Sequence, residues 1–173
     1  LESANSELKR LSGIDKLTQA DNRQRLDEVL QEELKRNDRY GTGLSAIMLD
    51  LDHFKEINDS YGHPVGDMVL KEIAGILKSN VRGCDTAGRW GGEEFLIILP
   101  QTDLPSAMAA AEKIRAAVEK TEFPVAGHVT CSFGVAAFRE DDDQDRLLSR
   151  ADKALYEAKR SGRNRVVVEL TGE

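Results

Sequence analysis

Apolar residues fall along this chain in short segments of two kinds. Four segments carry them at helical spacing. Arg23 to Arg39 holds Leu26, Val29, Leu30 and Leu34 on one stripe, and Asp67 to Lys78 holds Leu70, Ile73, Ala74 and Leu77. A third helix has Ala107, Ala111, Ile114 and Val118 on one face, with Ser106 as its expected cap. A fourth runs through Leu147, Leu148, Ala151, Ala154, Leu155 and Ala158 and stops at Gly162. The other segments read as strands. Leu44 to Leu51 and Phe95 to Leu99 are mostly apolar and too short for good helices, so both are expected as buried strands, the second ended by Pro100. Val129 to Ala137 alternates Val129, Cys131, Phe133 and Val135 with smaller residues, the pattern of a half-buried strand. Arg165 to Glu169 is a last strand. This irregular mixture with a hairpin-like centre predicts an α+β fold with a largely antiparallel sheet, and argues against a doubly wound one. Leu1, Leu8 and Leu11 have heptad spacing over a stretch too short to establish a coiled coil. The acidic run Glu140 to Asp143 is expected as a solvated loop that complements the dipole of the next helix.

A length of 173 residues suits one domain with a sizeable core. The 31 acidic residues outnumber the 24 basic ones, and the formal net charge of −7 makes a general nucleic-acid binder a poor reading. A phosphate-bearing ligand would need local cations or a metal. No apolar run approaches a membrane span, so no membrane contact by this piece is expected. Cys84 and Cys131 share no metal or disulfide spacing, which favours a reducing compartment. The chain starts at Leu1 without a signal-peptide pattern and reads as a piece of something longer.

Two constellations carry candidate chemistry. In Arg89-Trp90-Gly91-Gly92-Glu93-Glu94-Phe95, two glycines and two acids stand directly before an apolar strand. Paired glycines permit positive φ and close backbone approach to a ligand; taken alone, the segment is a hairpin turn with two solvated carboxylates. In Ile47-Met48-Leu49-Asp50-Leu51-Asp52, Asp50 ends a buried strand, where a carboxylate needs compensation. One carboxylate there and another beside the hairpin would suit a divalent metal and a triphosphate. A calcium loop from Asp50 to Tyr61 is excluded, because Lys55 stands at its sixth position and Tyr61 at its twelfth.

Asp50-Leu51-Asp52-His53-Phe54-Lys55-Glu56-Ile57-Asn58-Asp59, then Gly66-Asp67, then Gly91-Gly92-Glu93-Glu94-Phe95 resemble the GGDEF domain of the diguanylate cyclase family. The resemblance continues through Ser132-Phe133-Gly134-Val135-Ala136 and Ala151-Asp152-Lys153-Ala154-Leu155-Tyr156 to Gly162-Arg163-Asn164, and begins near Asp15-Lys16-Leu17-Thr18. It implies a palm-like central sheet, as in nucleotidyl cyclases, and the condensation of two GTP into cyclic di-GMP with release of two pyrophosphates. It divides the chain into 1–12, a linker or the end of an upstream helix, 13–170, the cyclase domain, and 171–173, a tail.

Residue by residue, the resemblance implies Mg²⁺, with Mn²⁺ as a second candidate, held by Asp50, Glu93 and the Leu51 carbonyl. Glu94 would lie beside the metal and assist deprotonation of the attacking 3′-hydroxyl, with metal binding as an equal alternative. Asn58 and Asp67 would read guanine, whose N1 and N2 hydrogens suit a carboxylate. Lys55, Lys159 and Arg163 would bind phosphates, joined by the backbone amides of His53 and Phe54; alone, Lys159 and Arg163 would read as caps of a helix dipole. Arg82 and Asp85, with Lys113 as a further basic position, match an inhibitory product site; the bland reading of Arg82-Gly83-Cys84-Asp85 is a surface turn. The resemblance further implies a homodimer for catalysis, an upstream sensory or receiver domain, and a bacterial cytoplasmic setting in which the full-length protein can be membrane-tethered. Two other readings stay open: a non-catalytic cyclic di-GMP receptor and a GTP-binding regulatory module. The chain departs from the family pattern at Gln19-Ala20, where Gly-Leu is usual, so an altered turn is expected there.

Overall fold

The computed structural model describes residues 12–169, so Leu1, Leu8 and Leu11 lie outside the described residues. Helix α1 (Arg23–Tyr40) starts where the Asn22 side chain accepts a hydrogen bond from the Arg25 amide, and ends at Gly41 with φ 62°. Strand β1 (Leu44–Leu51) leads into α2 (Phe54–Tyr61) and α3 (His63–Asn80). The hairpin β2 (Thr86–Gly91) and β3 (Glu94–Pro100) follows, then α4 (Leu104–Lys120). A two-stranded ribbon, β4 (Glu122–Phe123) and β5 (Gly127–His128), precedes β6 (Cys131–Ala137), α5 (Gln144–Arg160) and β7 (Val166–Val168). The five-stranded sheet has the order β2-β3-β1-β6-β7. Its pairs are antiparallel except β6 with β7, which is parallel. The α+β expectation with a largely antiparallel sheet is met.

Both faces of the sheet are covered. Ile47, Leu49 and Leu51 of β1 pack with Phe133, Val135 and the apolar faces of α2, α3 and α4. Ala46 and Met48 point the other way, with Leu96, Ile98 and Ala136, under Leu26 and Leu30 of α1 and Leu147, Ala151 and Leu155 of α5. Strand period two puts Asp50 on this second face, at the end of α5. The close seat of α5 depends on Gly134: a Cβ there would run into the backbone of Ala151 and Leu155.

Several expectations are corrected. The strand expected over Val129–Ala137 begins at Cys131, and Cys131 to Ala136 are buried on both faces instead of half-buried. Ser106 does not cap α4. Asp103 does, accepting from the Ser106 amide at 2.9 Å, and Ser106 sits inside the first turn behind Pro105. The acidic run is only partly solvated. Asp143 caps α5, but the Asp142 carboxylate is 5% exposed and pairs with Arg150. Gln19 holds φ 62° itself, so the turn at the missing glycine keeps a conformation that glycine enters freely. Helix α2 and the β4–β5 ribbon went unread, because each is too short for periodicity to reveal.

Candidate active site

Asp50 closes β1 at the mouth of the sheet. It stands directly opposite Glu94 on β3 and Ser132 on β6. Its side chain is 7% exposed, and Oδ2 accepts a hydrogen bond from Lys159 Nζ in the last turn of α5. Burial pushes the Asp50 carboxyl above its ordinary value, Glu93 and Asp52 add to this, and Lys159 opposes it. Glu94 is raised likewise, first by burial and then by the charges of Asp50, Asp152 and Glu93, with Lys159 opposing. Like charges face each other across the strands here, an arrangement that costs stability unless a cation intervenes.

Glu93 sits at the tip of the β2–β3 hairpin, whose two-residue turn is Gly92-Glu93 between the paired Gly91 and Glu94. Its backbone carbonyl accepts from the Leu51 amide at 3.3 Å, which ties the tip to the end of β1. Neither Gly91 nor Gly92 uses positive φ, contrary to expectation, and a Cβ at either would meet nothing within 4 Å. The glycines therefore leave open space over the hairpin. A bulge between Arg89 and Gly91 turns the tip. Arg89 Nε donates to the Gly92 carbonyl at 3.0 Å, and its NH1 reaches Asp15 at 3.4 Å.

Beyond β1, His53 takes a left-handed conformation (φ 57°, ψ 31°) and starts α2 without a side-chain cap. The first amides of a helix have no intrahelical partner, so those after His53 are free to meet an anion. Lys55 is exposed in this first turn. Phe54 is half-buried, and its ring edge and the Asn58 amide both press on Gly66, where a Cβ would collide with them. Asn58 Oδ1 is buried and has no hydrogen-bond partner among the described residues. Asp67 is exposed on the next turn of α3. Arg163 follows α5 with φ 65°, and its side chain is exposed.

The structure thus gathers Asp50, Glu93, Glu94 and Lys159 at one corner, and Phe54, Asn58 and Gly66 at a second. Among the described residues no three His, Cys, Asp or Glu side chains converge to hold a metal. The donors nevertheless fit a hard divalent cation, since they are carboxylates, two of which, Asp50 and Glu94, are raised first by burial and then by the acids beside them. Arg82 and Asp85 meet in a fork at 2.9 Å and 3.2 Å; Arg82 also donates to the Pro100 carbonyl at 3.0 Å and to Thr102 Oγ1 at 2.6 Å. Lys113, exposed on α4, makes no hydrogen bond or ion pair with either among the described residues. Sequence reasoning gave no role to Asp152, which lies seven residues before Lys159 on the same side of α5 and raises Glu94. The spacing of those two residues was the available signal.

A family model described as "Diguanylate cyclase, GGDEF domain" matches residues 12–165. The chain belongs to the GGDEF family. The GGDEF domain is 45% identical over 157 residues to diguanylate cyclase DgcP of Pseudomonas aeruginosa, covering 89% of this chain and 23% of that protein. It is similar to the structure of diguanylate cyclase SiaD in complex with its activator SiaC from the same species. There the TM-score is 0.88 and the identity 44%, over 96% of this chain and 65% of that one. The GGDEF domain of DgcB from Caulobacter crescentus, in complex with c-di-GMP, superposes with a TM-score of 0.87 at 33% identity, over 90% of this chain and 95% of that one. The GGDEF domain spans between 23% and 36% of the length of the curated relatives it matches. No described helix is long and apolar enough to cross a membrane.

Proposed function

We propose that residues 13–170 form the catalytic domain of a diguanylate cyclase that condenses two GTP into cyclic di-GMP and two pyrophosphates. The observation that carries this reading is the corner where Asp50, Glu94 and the Glu93 tip meet Lys159 beside the open amides of α2. Cyclases of this family are metal-dependent. Asp50, Glu93 and the Leu51 carbonyl would hold Mg²⁺ or Mn²⁺, which when bound polarises the α-phosphate and neutralises the leaving pyrophosphate.

The chain's own groups supply position and charge. The His53 and Phe54 amides, Lys55, Lys159 and Arg163 bind the triphosphate. Asn58 and Asp67 take the guanine edge, and the unpaired Asn58 Oδ1 gains a donor there. Glu94, whose carboxyl burial and the neighbouring acids raise, accepts the proton of the 3′-hydroxyl. Each 3′-oxygen forms a bond to the α-phosphorus of the other nucleotide as the bond from that phosphorus to pyrophosphate breaks. One domain binds one GTP, so two domains face each other. Arg82 and Asp85, with Lys113, bind the product as an inhibitor, for which the Arg82–Asp85 fork must open. Incubation with GTP and Mg²⁺ followed by chromatography tests the activity: cyclic di-GMP and pyrophosphate are expected, and unchanged or merely hydrolysed GTP overturns it.

A further inference from the structure

The loop after α5 is shaped by contacts from outside itself. Arg163 and Asn164 have φ of 65° and 44°; asparagine tolerates the left-handed region but arginine rarely enters it, so the surroundings must hold Arg163 there. The Asn164 amide donates to Asp52 Oδ2 at 3.0 Å. The Asn164 side chain is gripped from α4: Arg115 NH1 donates to Oδ1 at 3.0 Å, and Nδ2 donates to Glu119 Oε2. Asp52 is 4% exposed. Its carboxylate also accepts from Thr130 Oγ1 at 2.7 Å and from Ser132 Oγ at 2.6 Å, and its amide donates to the Thr130 carbonyl at 2.9 Å. Asp52 is thus occupied with protein donors, although it shares an Asp-x-Asp pattern with Asp50. It lies one residue after Leu51 and one before His53, so one buried carboxylate joins the Asp50–His53 turn to the Arg163 loop.

We propose that Asp52 and Asn164 are positioning residues that lock the Arg163 loop to the Asp50–His53 turn, so that a nucleoside triphosphate meets one rigid cradle. The proposal rests on the reading that this corner binds GTP. Charge-assisted bonds to a buried carboxylate are strong enough to keep both left-handed residues in place. Anchoring by Arg115 extends the lock to α4, outside the site. A lock that serves only stability would affect all nucleotides equally. A lock that places Arg163 acts on the distal phosphates and leaves the rest of the nucleotide bound as before.

The test uses the whole chain and Asn164→Gly, which permits the positive φ but removes the side-chain grip. Calorimetry with Mg²⁺ compares a non-hydrolysable GTP analogue with GMP. Expected is a loss on the order of tenfold for the analogue and a change under about twofold for GMP. Hydrogen exchange of residues 163–165 in the nucleotide-free protein should accelerate together with it. An unchanged ratio of the two affinities, or equal losses for both, overturns the proposal. If Asn164→Gly does not fold, Arg115→Gln, outside both loops, is judged by the same ratio. A wild type that binds neither nucleotide sinks the proposed function and this inference together. A wild type that makes cyclic di-GMP while the ratio stays fixed removes this inference alone.

Discussion

Lys159 and Asp50 form an ion pair across 109 residues of chain, joining the last turn of α5 to the end of β1. The ammonium rests on one oxygen of the carboxylate proposed to hold a divalent metal, and Asp50 is nearly fully buried while Lys159 is 34% exposed. The attached cation therefore competes with a free metal for this carboxylate, and the phosphates of GTP are the acceptor proposed to draw it away.

Lys159→Met should accordingly bind Mn²⁺ more tightly than the wild type in the absence of nucleotide, on the order of tenfold. The same variant should bind a GTP analogue more weakly. Electron paramagnetic resonance of free Mn²⁺ measures the first quantity and calorimetry the second. Weaker Mn²⁺ binding in the variant would show that the lysine prepares Asp50 for the metal instead of competing with it.

Glu94→Gln removes a charge proposed to act in the transition state, and turnover should fall by about a hundredfold or more. Stability should move the opposite way. Burial and neighbouring acids raise the Glu94 carboxyl, so its ionised form is costlier in the folded chain than in the unfolded one. That cost is present above the raised folded value and vanishes below the ordinary 4.5, where both states are protonated. The variant should melt higher at pH 7 and show no gain at pH ~3.5. Scanning calorimetry at the two pH values checks this, and a lower melting point at pH 7 would contradict it.

Gly134→Ala tests the seat of α5. The added methyl would overlap the backbone of Ala151 and Leu155, which cannot yield as a flexible side chain would. We expect a loss of about 1–3 kcal/mol in denaturant unfolding, and a further fall in activity as Lys159 moves off the corner. Wild-type stability would mean that α5 shifts freely over β6.

Arg150→Met tests a buried network that no sequence pattern announced. Arg150 donates to both oxygens of Asp142 at 2.6 and 2.7 Å, to Glu169 at 2.8 Å and to the Ala137 carbonyl at 2.7 Å. Both carboxylate side chains are 5% exposed; Arg139 still reaches Glu169 and its amide still donates to Asp142, so removing Arg150 should cost about 3 kcal/mol, the low end for a broken buried pair. Burial raises the Asp142 carboxyl, but Arg150 and the Arg139 amide outweigh it and the net value is lowered. This stabilisation is present above the ordinary 3.8 and lost as pH falls through the lowered value. In the variant, acid unfolding should begin at higher pH, and an unchanged acid transition would show that the network is not stabilising.

Much of this protein was settled by its sequence. Leu44–Leu51 was legible as a strand to the residue, because seven of its eight residues are apolar or small, Asp50 being the exception, and the run is too short for a good helix. The long helices were legible in their stripes, since one face of each had to be buried. Asp50 stood out by its place at the end of a buried strand, whereas Glu93 and Glu94, alone a solvated hairpin, were singled out by the family resemblance. Folding decided what linear order cannot express. Period two fixes which face Asp50 takes, but only the docking of α5 at Gly134 brings Lys159 to it. Ser106 looked like a cap, yet Asp103 won because its side chain reaches the Ser106 amide ahead of the Leu104-Pro105 turn. The Gly91-Gly92 pair looked like a conformational device, and the structure uses it for open space instead. Asp52 and Asn164 stand in recognisable motifs, but nothing in those motifs or around Arg115 announces that the three meet. Their partnership spans 112 residues between Asp52 and Asn164 and 49 between Asn164 and Arg115. A hydrogen bond at such separation depends on where the sheet and helices set two backbones, and that placement exists only in the folded chain.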